Sequence, residues 1–188
     1  MKQLILASTS PRRSDLLKKA EISFIVDSSD YEEDLSLDLS PHELTQFLSK
    51  KKAQAVAKRH TNSIVLGADT IVVFRGKILG KPNSDAEAHN MLMKLNGNIH
   101  QVITGFTLID TRSDRIFSHS VETIVTFKQT TPEDIATYVD TGEPRDKAGA
   151  YAIQGKGRFF VDRIEGSLTN VIGLPMKEVK EALTLLMG

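Results

Sequence analysis

At 188 residues the chain is long enough for one domain with a sizeable core. It is 40% hydrophobic and 26% charged, too apolar for a disordered chain and ordinary for a folded one. Its 24 basic and 24 acidic residues cancel, so no global field would hold it on nucleic acid or an anionic membrane, and any anion site must be local.

Leu4 to Ala7 is a short apolar run of buried-strand type. Ser8-Thr9-Ser10 follows. Ser10 suits an N-cap and Pro11 the first helical position, predicting a helix over 11–20 with Leu16 and Leu17 inward. Phe24 to Val26 reads as a second strand, and an acidic stretch runs from Asp30 to Asp34. Ser40-Pro41-His42-Glu43 is a capping box whose helix should reach about His60, with Leu44, Phe47, Leu48 and Ala55 on one face. Ile64 to Leu66 is a buried strand that continues through Gly67-Ala68-Asp69-Thr70. A hairpin turn at Arg75-Gly76-Lys77 separates Ile71–Phe74 from Ile78-Leu79. Ser84 to Glu87 reads as another capping box. Ala88, Met91, Leu92 and Leu95 then give one apolar helical face, and Gly97 ends it. Strands are expected near 101–109 and 116–127, a helix from Pro132 to about Thr141, strands at 150–153 and 159–161, and a closing helix over 174–187. This order predicts a mixed α/β fold, with a mixed sheet flanked by helices, in a single domain over 1–188.

Several chemistries are excluded. The chain has no cysteine, so disulfides, zinc–thiolate sites and thiol nucleophiles are absent. The five histidines show no metal-ligand spacing, and no Walker loop, Rossmann glycine pattern or Gly-x-Ser-x-Gly elbow occurs. The first apolar run stops at Pro11-Arg12-Arg13, too short for a secretory leader, and no run reaches membrane-spanning length. A cytoplasmic protein is the expectation, with neither nucleic acid nor membrane as partner.

What remains points to phosphate. A helix start preceded by Ser8, Thr9 and Ser10 offers unpaired N–H groups and hydroxyls, and Arg12 and Arg13 add bidentate forks. The plain alternative is a capped helix with two solvated arginines. Asp69 is a lone carboxylate in an apolar strand. An unpaired buried charge costs about 3–5 kcal/mol, so it needs a partner, a metal or a cleft. Lys81, in Gly80-Lys81-Pro82, would neutralise phosphate charge or lie solvated on a loop. Glu32, Glu33 and Asp34 are of the type that holds magnesium beside substrate phosphates, or are simply solvated. Among Lys50, Lys51 and Lys52, periodicity places Lys51 near the centre of the apolar face and Lys52 at its edge, without deciding which points into a site. The glycine-rich segment 142–155 suits a shaped loop, in which Gln154 offers a donor and an acceptor to a base edge or plays a structural part.

Together these segments resemble the Maf family of nucleotide pyrophosphatases. The resemblance rests on Leu6 to Arg13, Lys52-Ala53, Gly67 to Thr70, Leu79 to Pro82, Gly142 to Pro144 with Asp146 to Tyr151, Ile153 to Gly155, and Asn170 to Pro175. It implies a two-lobed α/β fold with a central cleft, similar to inosine triphosphate pyrophosphatases. It implies hydrolysis between the α- and β-phosphates of a nucleoside triphosphate, with a divalent cation, magnesium or manganese, as cofactor. Carried over by motif, Asp69 is the general base, and Lys52 rather than its neighbours is the site lysine. Lys81 and the turn carrying Ser8, Ser10, Arg12 and Arg13 bind the triphosphate. Glu33, with Asp69, is the metal-site carboxylate, although its surroundings match less closely. Thr70 and Gln154, with an arginine of the first motif, match the branch preferring dTTP and UTP. The branch acting on 7-methyl-GTP departs at these positions. A homodimer is compatible with the resemblance. Ser167-Leu168-Thr169 departs from it, standing where an aromatic residue commonly follows Gly-Ser. Two alternatives remain: the same chemistry on modified or other nucleotides, and a non-catalytic nucleotide-binding regulator of cell division.

Overall fold

The structure is a computed structural model that describes residues 2–32 and 34–187. Its strands are β1 (Gln3–Leu6), β2 (Phe24–Val26), β3 (Ser63–Phe74), β4 (Lys77–Leu79), β5 (Ile99–Asp110), β6 (Ile116–Phe127) and β7 (Val161–Glu165). Its helices are α1 (Pro11–Lys19), α2 (Pro41–Ala57), α3 (Asp85–Leu95), α4 (Pro132–Asp140), α5 (Leu168–Ile172) and α6 (Met176–Met187). The strands form one mixed sheet in the order β2-β1-β3-β5-β6-β7, with β4 paired to β3. Among the described residues no helix is long and apolar enough to cross a membrane. The chain divides into two compact units. The first contains Met1–Asp69, Thr104–Val121 and Gly173–Gly188, and the second Thr70–Ile103 and Glu122–Ile172.

In the first unit β1 lies parallel to both β2 and β3, with Leu4 opposite Ile64 and Leu6 opposite Leu66. A strand paired on both edges and covered on both faces reads as a continuous apolar run, and Leu4, Ile5 and Leu6 are all buried. Ile5, Ala7 and Val65 form a core with Ala53 and Val56 of α2 and with Ile109.

Helix α2 starts as expected, with a reciprocal capping box between Ser40 and Glu43. Its buried face differs from the predicted one. Leu44, Leu48, Lys52 and Val56 form one line and Thr45, Ser49 and Ala53 the next, while Phe47 and Ala55 are only half-buried. The face is rotated by about a quarter turn from the one centred on Leu44. Two glycines account for this. A Cβ on Gly67 of β3 would lie 2.2 Å from the Ser49 carbonyl oxygen, and one on Gly105 of β5 would lie 2.3 Å from the Thr45 carbonyl carbon. The helix backbone therefore touches the sheet, and only short side chains fit along the line of contact. Ser49 meets Thr107 there, Oγ to Oγ1 at 2.9 Å, so the buried hydroxyls satisfy each other. The helix also ends at Ala57 rather than His60. Past its end Arg59 and His60 both bind Asp27, at 2.8 Å and 2.7 Å.

In the second unit β3 and β4 are joined through Arg75 and Gly76, whose φ angles of 50° and 75° are those of a type I′ turn. Helix α3 buries Ala88, Met91, Leu92 and Leu95 as predicted. Ser84 caps it, but Glu87 turns back to the Asn83 amide at 2.8 Å, so the expected reciprocal box does not form. Helix α4 starts on a true box between Thr131 and Asp134.

The strands predicted at 150–153 and 159–161 are absent as such. Residues 143–146, 148–150 and 156–160 form 3-10 turns, and β7 begins only at Val161. Gly149 and Ala150 both have positive φ, 66° and 62°, which no extended strand tolerates. Packing imposes this bend: a Cβ on Gly149 would stand 2.9 Å from the Val72 side chain. Tyr151 continues inward to His100, hydroxyl to Nε2 at 2.8 Å, and both rings pack edge-on against Phe127. Burial pushes the His100 imidazole down to about 4, so it is neutral near pH 7. The short helix α5 precedes the closing helix α6, which begins at Met176 rather than Leu174.

Candidate active site

The first unit brings together two groups of the expected site residues. At the start of α1, Ser10 stands at the N-cap but its side chain makes no capping bond, and the first turn contains no acidic residue. Ser8 Oγ instead accepts from the Ser10 amide at 3.2 Å and from Arg13 Nη1 at 3.1 Å. Arg13 Nε donates to the Gly173 carbonyl at 2.9 Å, which ties the first motif to the 170–175 segment. Arg12 differs. Its Nε is buried and has no hydrogen-bond partner among the described residues. A buried donor of this kind costs about 1–3 kcal/mol, and an anion at the helix start would satisfy it.

The second group is Lys52 and Asp69. Lys52 Nζ lies 2.5 Å from Asp69 Oδ1, with side chains only 11% and 5% exposed. Their meeting follows from the local sequence. Side chains alternate along a strand, so Gly67 and Asp69 share one face of β3. Gly67 lets α2 settle on that face, and Lys52 stands one turn beyond Ser49 on the contacting side of the helix. Lys50 and Lys51 are exposed, and Lys51 Nζ lies 5.2 Å from the centre of the Phe47 ring. Of the three lysines, Lys52 is therefore the one buried against Asp69.

The acidic segment is partly placed. Glu33 lies outside the described residues. Glu32 is exposed. Asp34 accepts from both the amide and the hydroxyl of Ser36, and these bonds hold its carboxyl below the usual range. The bonds from Arg59 and His60 to Asp27 anchor the chain just before this segment beside the end of α2. Among the described residues no group of three or more His, Asp or Glu side chains is placed to hold a metal ion.

Thr70, Lys81 and Gln154 belong to the second unit. Thr70 is half-buried and directly follows Asp69 on β3. Lys81 and Gln154 are exposed, as ligand-binding groups on loops can be. The Gly149 amide donates to the Gly80 carbonyl at 3.0 Å, which joins the glycine-rich loop to the residue before Lys81. Sequence reasoning gave no role to Glu143 or Tyr138. Tyr138 Oη donates to Glu143 Oε1 at 2.9 Å, and the carboxylate also receives the Gly157 and Lys156 amides, each at 3.1 Å. The only sequence signal was a charged residue inside a glycine-rich loop.

A family model described as Maf-like protein matches residues 3–186. The chain belongs to the Maf family. Several relatives are alike over nearly their whole lengths. One from Desulforamulus reducens is 46% identical over 186 residues, 98% of this chain and 97% of its own. One from Geobacillus sp. is 47% identical over 184 residues, 96% and 98% of the two chains. One from Symbiobacterium thermophilum is 47% identical over 184 residues, 98% and 94%. Each is named dTTP/UTP pyrophosphatase. Among solved structures, the Staphylococcus aureus Ham1 protein aligns with a TM-score of 0.50 at 16% identity, covering 97% of this chain and 98% of that one. That likeness concerns the fold alone. It agrees with the mixed α/β architecture of this Maf chain.

Proposed function

We propose that the chain hydrolyses nucleoside triphosphates between the α- and β-phosphates, releasing a monophosphate and pyrophosphate, with dTTP and UTP preferred. The observation that carries this reading is the buried Lys52–Asp69 pair, in a chain nearly half identical to proteins named for that reaction.

Asp69 takes the proton of the attacking water as general base. Lys52 holds the carboxylate in a fixed orientation through the 2.5 Å contact. The amides at the start of α1, with Arg12, receive phosphate oxygens. Arg13, already tied to Ser8 and Gly173, shapes that turn and adds positive charge. Lys81 offsets charge on the departing pyrophosphate. Gln154 and Thr70 read the pyrimidine edge. Local cations are required because the chain has no net charge with which to attract a polyanion.

The donor chemistry fits a hard cation. Asp69 supplies carboxylate oxygen, and the family resemblance offers Glu33 as a second carboxylate. Magnesium and manganese sites of this kind use one or two protein carboxylates and complete themselves with substrate phosphates and water. The cation supplies charge neutralisation on the phosphates. Cytoplasmic location, with a nucleotide as the principal partner, completes the reading.

The test is pyrophosphate release from a panel of nucleoside triphosphates, with magnesium or manganese and with a chelator. Metal-dependent release favouring dTTP and UTP is expected. Release from other bases instead would keep the chemistry and overturn the roles of Thr70 and Gln154. Nucleotide binding with no turnover by folded protein would favour a regulatory module.

A further inference from the structure

Two motif segments, 142–144 and 153–155, meet at one contact. The Glu143 carboxylate sits directly on the backbone of Gly155: a Cβ there would fall 2.4 Å from Oε1. Oε1 accepts from the Gly157 amide and the Tyr138 hydroxyl, and Oε2 accepts from the Lys156 amide. Tyr138 Oη in turn accepts from the Ala152 amide at 3.3 Å. Partial burial would raise the Glu143 pKa, but these donors, with Lys147 nearby, hold it below the usual range. A charged carboxylate therefore fixes the turn on both sides of Gln154, while Gln154 itself stays exposed.

We propose that Glu143 is a positioning residue for base recognition: it clamps the 152–157 turn so that the Gln154 amide is presented in one orientation. The proposal rests on the reading of Gln154 given above. It explains why Gly155 follows Gln154, since any side chain there would displace the carboxylate. It also gives Gly142 a purpose. At φ 71° it makes the left-handed step that turns the chain from α4 into the 3-10 turn carrying Glu143.

The informative substitution is Glu143→Gln. It preserves shape but sets an NH2 group against one of the backbone N–H donors, so one bond is lost and a donor faces a donor. Tyr138→Phe removes the hydroxyl's bonds to Glu143 and to the Ala152 amide but leaves the carboxylate and its bonds from Lys156 and Gly157 in place, and it is the second variant. Binding of the non-hydrolysable analogues α,β-imido-UTP and α,β-imido-CTP, with magnesium, is measured by calorimetry for wild type, Glu143→Gln, Gln154→Ala and the double variant. Amide exchange at Lys156 and Gly157 is followed in parallel.

Expected is a roughly tenfold weaker affinity of Glu143→Gln for the uridine analogue, the cost of about one neutral hydrogen bond. The cytidine analogue should change less than twofold. The Lys156 and Gly157 amides should exchange faster, and Glu143→Gln should add nothing once Gln154 is Ala. Tyr138→Phe should shift affinity in the same direction by a smaller factor. Equal losses for both analogues, or a Glu143→Gln effect that persists in full beside Gln154→Ala, would overturn the proposal. Because binding is read without turnover, failure of the pyrophosphatase reading has a different signature: the analogues bind as described while wild type releases no pyrophosphate.

Discussion

Asp69→Asn is expected to lower pyrophosphate release by about 10²–10⁴-fold, the usual contribution of a general base, while the chain still folds. Asn keeps the shape of the side chain and can still accept a hydrogen bond from Lys52, so the β3–α2 contact survives. It removes the negative charge and the proton acceptor. Stability should fall as well, because the Lys52 ammonium, 11% exposed, loses the negative charge of Asp69 beside it. Complete loss of a buried partner costs about 3–5 kcal/mol; the retained hydrogen bond should keep the loss below that. The double variant Lys52→Met with Asp69→Asn separates the two roles. With the buried cation gone its melting temperature should rise above that of Asp69→Asn, yet turnover should stay lost. Pyrophosphate release and thermal denaturation of the two proteins decide the matter. An Asn variant with near-wild-type turnover would remove Asp69 from the role of base.

Gly67→Ala is expected to destabilise the fold by about 3 kcal/mol or more, at or beyond the upper end of ordinary overpacking. The new Cβ would lie 2.2 Å from the Ser49 carbonyl oxygen, 2.8 Å from the Ala53 amide nitrogen and 3.0 Å from the Ala53 Cβ. Two of these neighbours are backbone atoms of α2, so no rotamer change relieves the clash. The helix must lift, and Lys52 lifts with it. Turnover of the folded fraction should therefore fall too. Gly76→Ala is the control. Nothing lies within 4 Å of a Cβ there, and only the positive φ is strained, at about 1–2 kcal/mol. Urea unfolding of both variants measures the difference. A Gly67→Ala protein within 0.5 kcal/mol of wild type, on the scale of an ordinary surface substitution, would mean that α2 does not rest on this glycine.

The two glycines also mark where sequence reading worked and where it stopped. Helix starts were legible because their chemistry is local: Pro11, Pro41 and Pro132 each follow a Ser or Thr and open a helix. The strand through Asp69 and the hairpin at Arg75-Gly76 were legible for the same reason. The buried face of α2 was not. Hydrophobicity drew attention to Phe47, whereas the close approach over Gly67 and Gly105 selects Thr45, Ser49 and Ala53, which carry little apolar signal. That error left the choice of site lysine to the family resemblance. The segment 142–160 failed differently. Its apolar stretches look like strands, but contacts with Val72, Gly80 and Glu143 fold them into 3-10 turns. No local pattern records those contacts.

Among the candidate site residues, sequence names the residue types but not the contacts that distinguish them. Arg12 and Arg13 are adjacent and chemically identical, yet Arg13 is bound to Ser8 and Gly173 while Arg12 has a buried Nε without a partner among the described residues. Only the fold separates an arginine bonded within the turn from one whose buried Nε lacks a partner there. Glu143 is the converse, a charged loop residue whose importance lies in backbone amides distant from it in sequence.

Hydrolysis between the α- and β-phosphates by attack of water on the α-phosphorus is read from the fate of oxygen from labelled water. UTP is incubated with the protein and magnesium in oxygen-18 water, and the products are separated and weighed by mass spectrometry. One labelled oxygen in the nucleoside monophosphate and unlabelled pyrophosphate are expected. Label in pyrophosphate, or release of a diphosphate with labelled orthophosphate, would contradict it.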